Sequence, residues 1–170
     1  MKILIAEDDL DVALQYKTIL ESRNHDVIIK QNGEDSLKAY HDALNRTKPT
    51  TEQDTPFDAV VLDYRMPKKD GLEVAKQILA INPRQRIIFA SAYVKQTLAD
   101  SVKQLKQVVE LMQKPFELDA LVDTIEDKEI YTELEKLNAN VSQIKNSNPT
   151  HAQVRDLLEG LREIQKGRTF

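Results

Sequence analysis

At 170 residues the chain is long enough for one ordinary hydrophobic core and an appendage. A content of 41% hydrophobic and 31% charged residues excludes the disordered and membrane classes, and no apolar run approaches the ~20 residues that span a bilayer. The net charge of −4 belongs to residues 1–126, because residues 127–170 hold equal numbers of basic and acidic side chains. Neither part shows the basic stripe of a nucleic-acid binder, which argues against direct DNA binding. The lack of cysteine excludes disulfides and thiolate metal ligation and fits a reducing, cytoplasmic setting. Ile3-Leu4-Ile5-Ala6 is broken at once by Glu7-Asp8-Asp9, so no signal peptide and no membrane partner are expected.

In chain order, β-branched runs at Ile3–Ala6, Val27–Lys30, Phe57–Leu62, Arg86–Ala90 and Val108–Met112 alternate with helical patterns. That alternation marks βαβ units and a parallel sheet, and runs so continuous in Val, Ile and Leu suit strands covered on both faces. Val12, Ala13, Tyr16, Ile19 and Leu20 share one face of the first helix, as Leu72, Val74, Ala75, Ile78 and Leu79 do on the third. Gly33 marks the turn out of the second strand, and Asn82-Pro83 closes the third helix. The polar stretch Asn45–Pro56 reads as a long solvated loop. Together these units predict an α/β fold of three layers, a doubly wound five-stranded parallel sheet between helices.

A C-terminal helical extension follows. Leu118, Leu121, Val122 and Ile125 predict a fifth helix that covers the sheet. Ile130, Leu134, Leu137, Val141 and Ile144 then recur at alternating spacings of four and three, a heptad seam, with a break expected around Glu126–Glu129. Asn146–Asn148 stops that helix, and Pro149 or Thr150 opens another with the stripe Val154, Leu157, Leu158, Leu161 and Ile164. Helices this short cannot stand alone in water. The chain thus divides into a domain over 1–126 and a helical tail over 127–170, read as a hairpin or a dimerisation element.

Functional groups in an open parallel sheet gather at the carboxyl ends of its strands. Here those ends carry Glu7-Asp8-Asp9, Asp63, Ser91 and Lys114-Pro115. Carboxylates crowded at one crest repel by ~1 to 4 kcal/mol per neighbour at about 4 Å, depending on screening. A divalent cation relieves this, and oxygen-only ligation favours Mg2+, Ca2+ or Mn2+ over zinc. A carboxylate can also accept a phosphoryl group as an acyl phosphate, with a cation, an ammonium and a hydroxyl neutralising its oxygens. Asp63, at the end of a central strand beside Glu7-Asp8, is the nucleophile on this reading.

Glu7-Asp8, Asp63 with Met66-Pro67 and Asp70-Gly71, Ser91-Ala92, and Lys114-Pro115-Phe116 resemble the signature set of CheY-like response-regulator receivers. The resemblance runs from Lys2 to about Ile125 in family order and at near-family spacing, the polar loop lengthening the gap from Asp8 to Asp63. It implies the flavodoxin/CheY-like strand order 2-1-3-4-5, which the residues alone do not give. It also implies a two-component response regulator that accepts a phosphoryl group from a histidine kinase on Asp63, with Mg2+ as cofactor. By that resemblance Asp8, Asp63 and the backbone carbonyl of Arg65 bind the ion, Glu7 acts through a metal-bound water, and Ser91 and Lys114 sense the phosphoryl group. Such a chain is not an enzyme beyond its own phosphorylation and dephosphorylation.

Two departures from the family pattern bear on readout. Leu111 stands where a Tyr or Phe usually precedes the lysine by three residues, and Gln107-Val108 replaces the usual small turn. Activation is therefore expected to move the loop from Ser91 to Leu98 without an aromatic swap, with Tyr93 as an alternative participant. Leu10 and Leu14, an i,i+4 pair beside the acidic crest, suit a docking spot for the kinase. A helix cap is the lesser alternative for Asp9, which lies outside the family's pair, and His25, His41 and His151 read as isolated surface residues. Alternatives are a phosphorylation-independent scaffold and an aspartyl-nucleophile phosphatase, which Arg65 disfavours by occupying the position of the second carboxylate. The tail is too short for a winged-helix domain and suits a homodimer or a partner contact, a second route being the fourth-helix and fifth-strand face.

Overall fold

The computed structural model describes residues 1–47, 54–92, 99–102, 105, 109–126 and 151–166. Five strands, β1 (Lys2–Ala6), β2 (Asp26–Lys30), β3 (Ala59–Leu62), β4 (Ile87–Ser91) and β5 (Glu110–Gln113), form one sheet. All neighbours are parallel, in the order β2-β1-β3-β4-β5 that the family resemblance implied. The helices are α1 (Leu10–Ser22), α2 (Gly33–Thr47), α3 (Gly71–Ile81), α4 (Ala99–Val102), α5 (Leu118–Glu126) and α6 (His151–Lys166). The chain forms two compact units, Met1–Leu121 and Val122–Phe170.

Strand side chains alternate between the two faces of the sheet, and here both faces are dry. Leu4, Ala6, Val60, Leu62, Ile87 and Phe89 pack with Leu37, Tyr40 and Ala43 of α2 and with Val74, Ala75, Ile78 and Leu79 of α3. Ile3, Ile5, Val61 and Ile88 point the other way and are equally buried, as are Ala13, Tyr16 and Leu20 of α1. Each aliphatic side chain so buried contributes about 1.5–3 kcal/mol. Several buried polar groups are matched within this packing. The Tyr40 hydroxyl donates to Gln85 Oε1 at 3.1 Å, and Gln85 Nε2 donates to the Phe57 carbonyl at 2.9 Å. Arg86 grips Glu110 with two hydrogen bonds of 2.9 Å.

Some expected boundaries move. Asn45–Thr47 are helical, not loop, since α2 runs to Thr47, whose hydroxyl donates to the Ala43 carbonyl. β3 begins at Ala59, two residues later than its apolar run suggested, although Phe57 is as buried as a strand residue. In α6 Leu158 is buried while Leu157 and Ile164 are 40% and 56% exposed, so only part of the predicted stripe is covered. Tyr93, Gln107-Val108, the seam from Ile130 to Ile144 and the Asn146–Asn148 stop lie outside the described residues, as does most of the expected Glu126–Glu129 break. Among the described residues, no helix is long and apolar enough to cross a membrane.

Candidate functional site

Because β1 lies between β2 and β3, the chain reverses its direction of travel across the sheet there, and a crevice opens at those strand ends. Ala6 is in register with Leu62, so the residues that follow, Glu7-Asp8 and Asp63, emerge side by side. Backbone bonds from Glu7 N–H to the Lys30 carbonyl and from Asp63 N–H to the Ala6 carbonyl hold both exits. One carboxylate oxygen from each of Glu7, Asp8 and Asp63 lies within 4.8 Å of the others. Asp9 faces outward and caps α1, its carboxylate accepting from the N–H groups of Asp11 and Val12.

Two glycines shape the turn that follows Asp63. Gly71, the first residue of α3, donates its N–H to the Tyr64 carbonyl at 2.8 Å, and a Cβ there would stand 2.1 Å from the Asp63 carbonyl oxygen. Gly33, at the start of α2, lies against Lys69 so closely that a Cβ would meet its carbonyl oxygen at 2.3 Å. Lys68 takes a φ of 68°, and Asp70 caps α3 through the Glu73 N–H. The signature residues Asp70 and Gly71, with the Pro67 carbonyl accepting from the N–H groups of Gly33 and Lys69, thus shape the turn. They fold the chain back tightly enough to fix the Asp63 peptide.

Lys114 and Ser91 reach the same place from the far side of the sheet. Ser91 ends β4 in register with Gln113, and the Lys114 N–H donates to the Ser91 carbonyl at 3.0 Å. The Lys114 ammonium sits 2.5 Å from Glu7 Oε2 and 3.8 Å from Asp63 Oδ1. Of these two carboxylates, Glu7 is the closer to the ammonium. Asp63 accepts hydrogen bonds from the Ser91 hydroxyl and from the Tyr64 N–H.

Burial pushes the Glu7 carboxyl above its usual range, Lys114 pulls it back, and the Asp63 charge raises it again. Burial raises Asp63 in the same way, against the lowering effects of Lys114, Ser91 and the Tyr64 N–H, and Asp8 adds to the rise. Two carboxylates whose charge burial makes costly, with a third beside them and only oxygen donors, fit a hard divalent cation. Arg65, two residues past Asp63, is exposed, and its side chain stands on the solvent side of the turn.

The five side chains singled out in the sequence, Glu7, Asp8, Asp63, Ser91 and Lys114, therefore meet at one strand crest. Two neighbours are not evident from sequence. Tyr16 of α1 stacks on Phe116 at 5.6 Å between ring centroids, bracing the segment after Lys114. Gln113 donates from Nε2 to the carbonyls of Ala92 and Lys114. Tyr16 shows itself in sequence only as a member of the α1 stripe, and nothing in the sequence pattern points to Gln113.

Comparison with known proteins bears on the family and the fold. The response regulator receiver domain family matches residues 3–126. The chemotaxis protein CheY of Listeria monocytogenes is 30% identical over 128 residues, covering 74% of this chain and 96% of that protein. The sporulation initiation phosphotransferase F of Bacillus subtilis is 25% identical over 124 residues, covering 73% and 90%. Among solved structures, the response regulator TrrA of Thermotoga maritima, in complex with Mg(2+)-BeF, is 26% identical with a TM-score of 0.57, covering 74% of this chain and 96% of that one. A CheY-like receiver domain protein from Methanospirillum hungatei shares the fold with a TM-score of 0.63 at 20% identity, covering 79% and 97%. With its fold and most of its length in common with them, the chain belongs to the response regulator receiver domain family.

Proposed function

We propose that this chain is the phospho-acceptor of a two-component pathway, taking a phosphoryl group on Asp63 from a histidine kinase. The observation that carries the reading is the convergence on one carboxylate of a hydroxyl, an ammonium 3.8 Å away and two further acids. An Asp63 oxygen attacks phosphorus, the bond from phosphorus to the donor nitrogen breaks, and its electron pair leaves with the histidine. The Ser91 hydroxyl donates to one phosphoryl oxygen. The Lys114 ammonium leaves Glu7 for another. Asp8, Asp63 and the Arg65 carbonyl would hold Mg2+, with Glu7 acting through water, and the ion when bound supplies the positive charge that offsets these acids and the incoming oxygens. The chain turns over nothing but its own acyl phosphate.

Leu10 and Leu14, 45% and 44% exposed on α1 beside this crest, form the docking spot for the kinase. Residues 1–126 act as the receiver and 127–170 as a helical output element, in the cytoplasm. The charge balance of that element points to a protein partner or a second copy, and away from DNA. With Leu111 in place of an aromatic, the signal leaves through the segment after Ser91 and shifts a pre-existing equilibrium of the tail.

The test is incubation of the full chain with acetyl phosphate or phosphoramidate, with and without Mg2+, followed by intact mass. The expected gain is one phosphoryl group, only with Mg2+, and none in Asp63→Asn. No gain in the wild type, or an equal gain in Asp63→Asn, overturns the reading.

A further inference from the structure

Between β4 and β5 the backbone ladder reaches the Lys114 N–H, which donates to the Ser91 carbonyl at 3.0 Å. One step further the link is made by a side chain. Gln113 Nε2 donates to the Ala92 carbonyl at 2.8 Å and to the Lys114 carbonyl at 3.0 Å. Facing two carbonyls, the terminal group must present its nitrogen, and both of that nitrogen's protons are used. The Oε1 of the same group is buried, and among the described residues no donor reaches it. A methionine of similar length would fill the space without leaving a dry acceptor. What glutamine adds is therefore its pair of donors.

We propose that Gln113 is a positioning residue for phosphoryl capture: it ties the Ala92 peptide to the Lys114 peptide and so fixes the spacing of the Ser91 hydroxyl and the Lys114 ammonium beside Asp63. The proposal rests on the phospho-acceptor reading and deepens it. Ser91 and Lys114 come from different strands, and each either carries or directly precedes one of the two carbonyls that Gln113 holds. Slack between these strand ends would prevent hydroxyl and ammonium from meeting two oxygens of one phosphoryl group together. The three acids stand on β1 and β3, outside this tie. Removing the tie should weaken phosphoryl recognition while leaving cation binding alone.

The test compares the wild-type chain with Gln113→Met and Gln113→Glu, measuring affinity for Mg2+ alone, affinity for beryllofluoride at saturating Mg2+, and the rate of phosphorylation by acetyl phosphate. Loss of two backbone hydrogen bonds is expected to weaken beryllofluoride binding by about tenfold in Gln113→Met. Gln113→Glu, which turns acceptors toward two carbonyls, should lose more. Mg2+ affinity should stay within about twofold, since no ligand is touched. Unchanged beryllofluoride affinity, or a parallel fall in Mg2+ affinity that marks general loosening, overturns the proposal. Should the variants not fold, proton exchange in the wild type decides: both Gln113 side-chain amide protons should exchange more slowly than those of exposed glutamines, and equal exchange refutes the tie. A wild type that takes up neither phosphoryl group nor beryllofluoride defeats the phospho-acceptor reading itself, and this proposal falls with it.

Discussion

Alanine at Gly71 measures how tightly the turn behind Asp63 is closed. A Cβ there would stand 2.1 Å from the Asp63 carbonyl oxygen, 3.0 Å from its carbon and 3.2 Å from Tyr64 Cα. Ordinary contact begins near 3.4 Å, so backbone on one side must retreat by about 1.3 Å. Overpacking of this kind costs about 1–3 kcal/mol. Stretching the hydrogen bond from Gly71 to Tyr64 adds about 1 kcal/mol. Alanine's smaller unfolded-state entropy offsets only ~0.4–1 kcal/mol of this. The expected net loss is about 1–3.5 kcal/mol, with weaker Mg2+ binding because Asp63 moves. Gly160 is the internal control. It lies inside α6, and a methyl group added there would meet nothing within 4 Å, so Gly160→Ala should gain about 0.5–1 kcal/mol from helix propensity. Urea unfolding followed by circular dichroism gives both stabilities, and calorimetric titration gives the Mg2+ affinities. If both substitutions shift stability in the same direction, or if Gly71→Ala binds Mg2+ as tightly as wild type, the account of this turn is wrong.

The remaining predictions concern charge and contact. Burial raises the folded-state pKa of Asp63 above its ordinary 3.8, so above that value the unfolded chain releases this proton first and wild-type stability falls as pH rises through the window. In Mg2+-free buffer the melting-temperature advantage of Asp63→Asn should therefore grow from pH 4 toward neutrality; a constant or shrinking advantage counts against the burial argument. Arg86→Met leaves Glu110 charged and 9% exposed, which should cost about 3 kcal/mol in urea unfolding, near the low end for a broken buried pair. The double variant Arg86→Met with Glu110→Leu should recover most of that loss, and strict additivity would refute the pairing. Leu14→Asp should slow transfer from a histidine kinase by about tenfold while leaving acetyl phosphate labelling intact, given the large desolvation penalty of a buried carboxylate at a contact; equal slowing of both removes the docking role. Arg65→Ala should change the dephosphorylation rate, and an unchanged half-life of the acyl phosphate would exclude Arg65 from that step.

Much of the fold is legible in the sequence because both faces of the sheet are covered, so each strand announces itself as an unbroken apolar run. The strand ends are legible for the same reason: Glu7, Asp63, Ser91 and Lys114 each follow the last apolar residue of a strand or lie within two residues of it. The order of the strands is not, because hydrophobic pattern carries no information about which neighbour a strand takes. The end of α2 escapes the pattern because Asn45, Arg46 and Thr47 are exposed and polar, and an exposed last turn looks like loop. The contact of Lys114 with Glu7 cannot be foreseen either, since spacing along the chain does not say which of three acids an ammonium will choose. Gln113 is invisible for a further reason. Its role depends on two carbonyls, which every residue type carries alike.

The turn behind Asp63 is pinned from two directions by Gly33 and Gly71, so its path admits almost no adjustment. Tyr64 and Met66 are partly submerged in the core, whereas Arg65 between them is exposed. If Arg65→Ala changes the acyl-phosphate half-life, one exposed position sets how long the signal persists while the scaffold around it stays as it was. On that outcome timing and architecture would be separable on this one backbone.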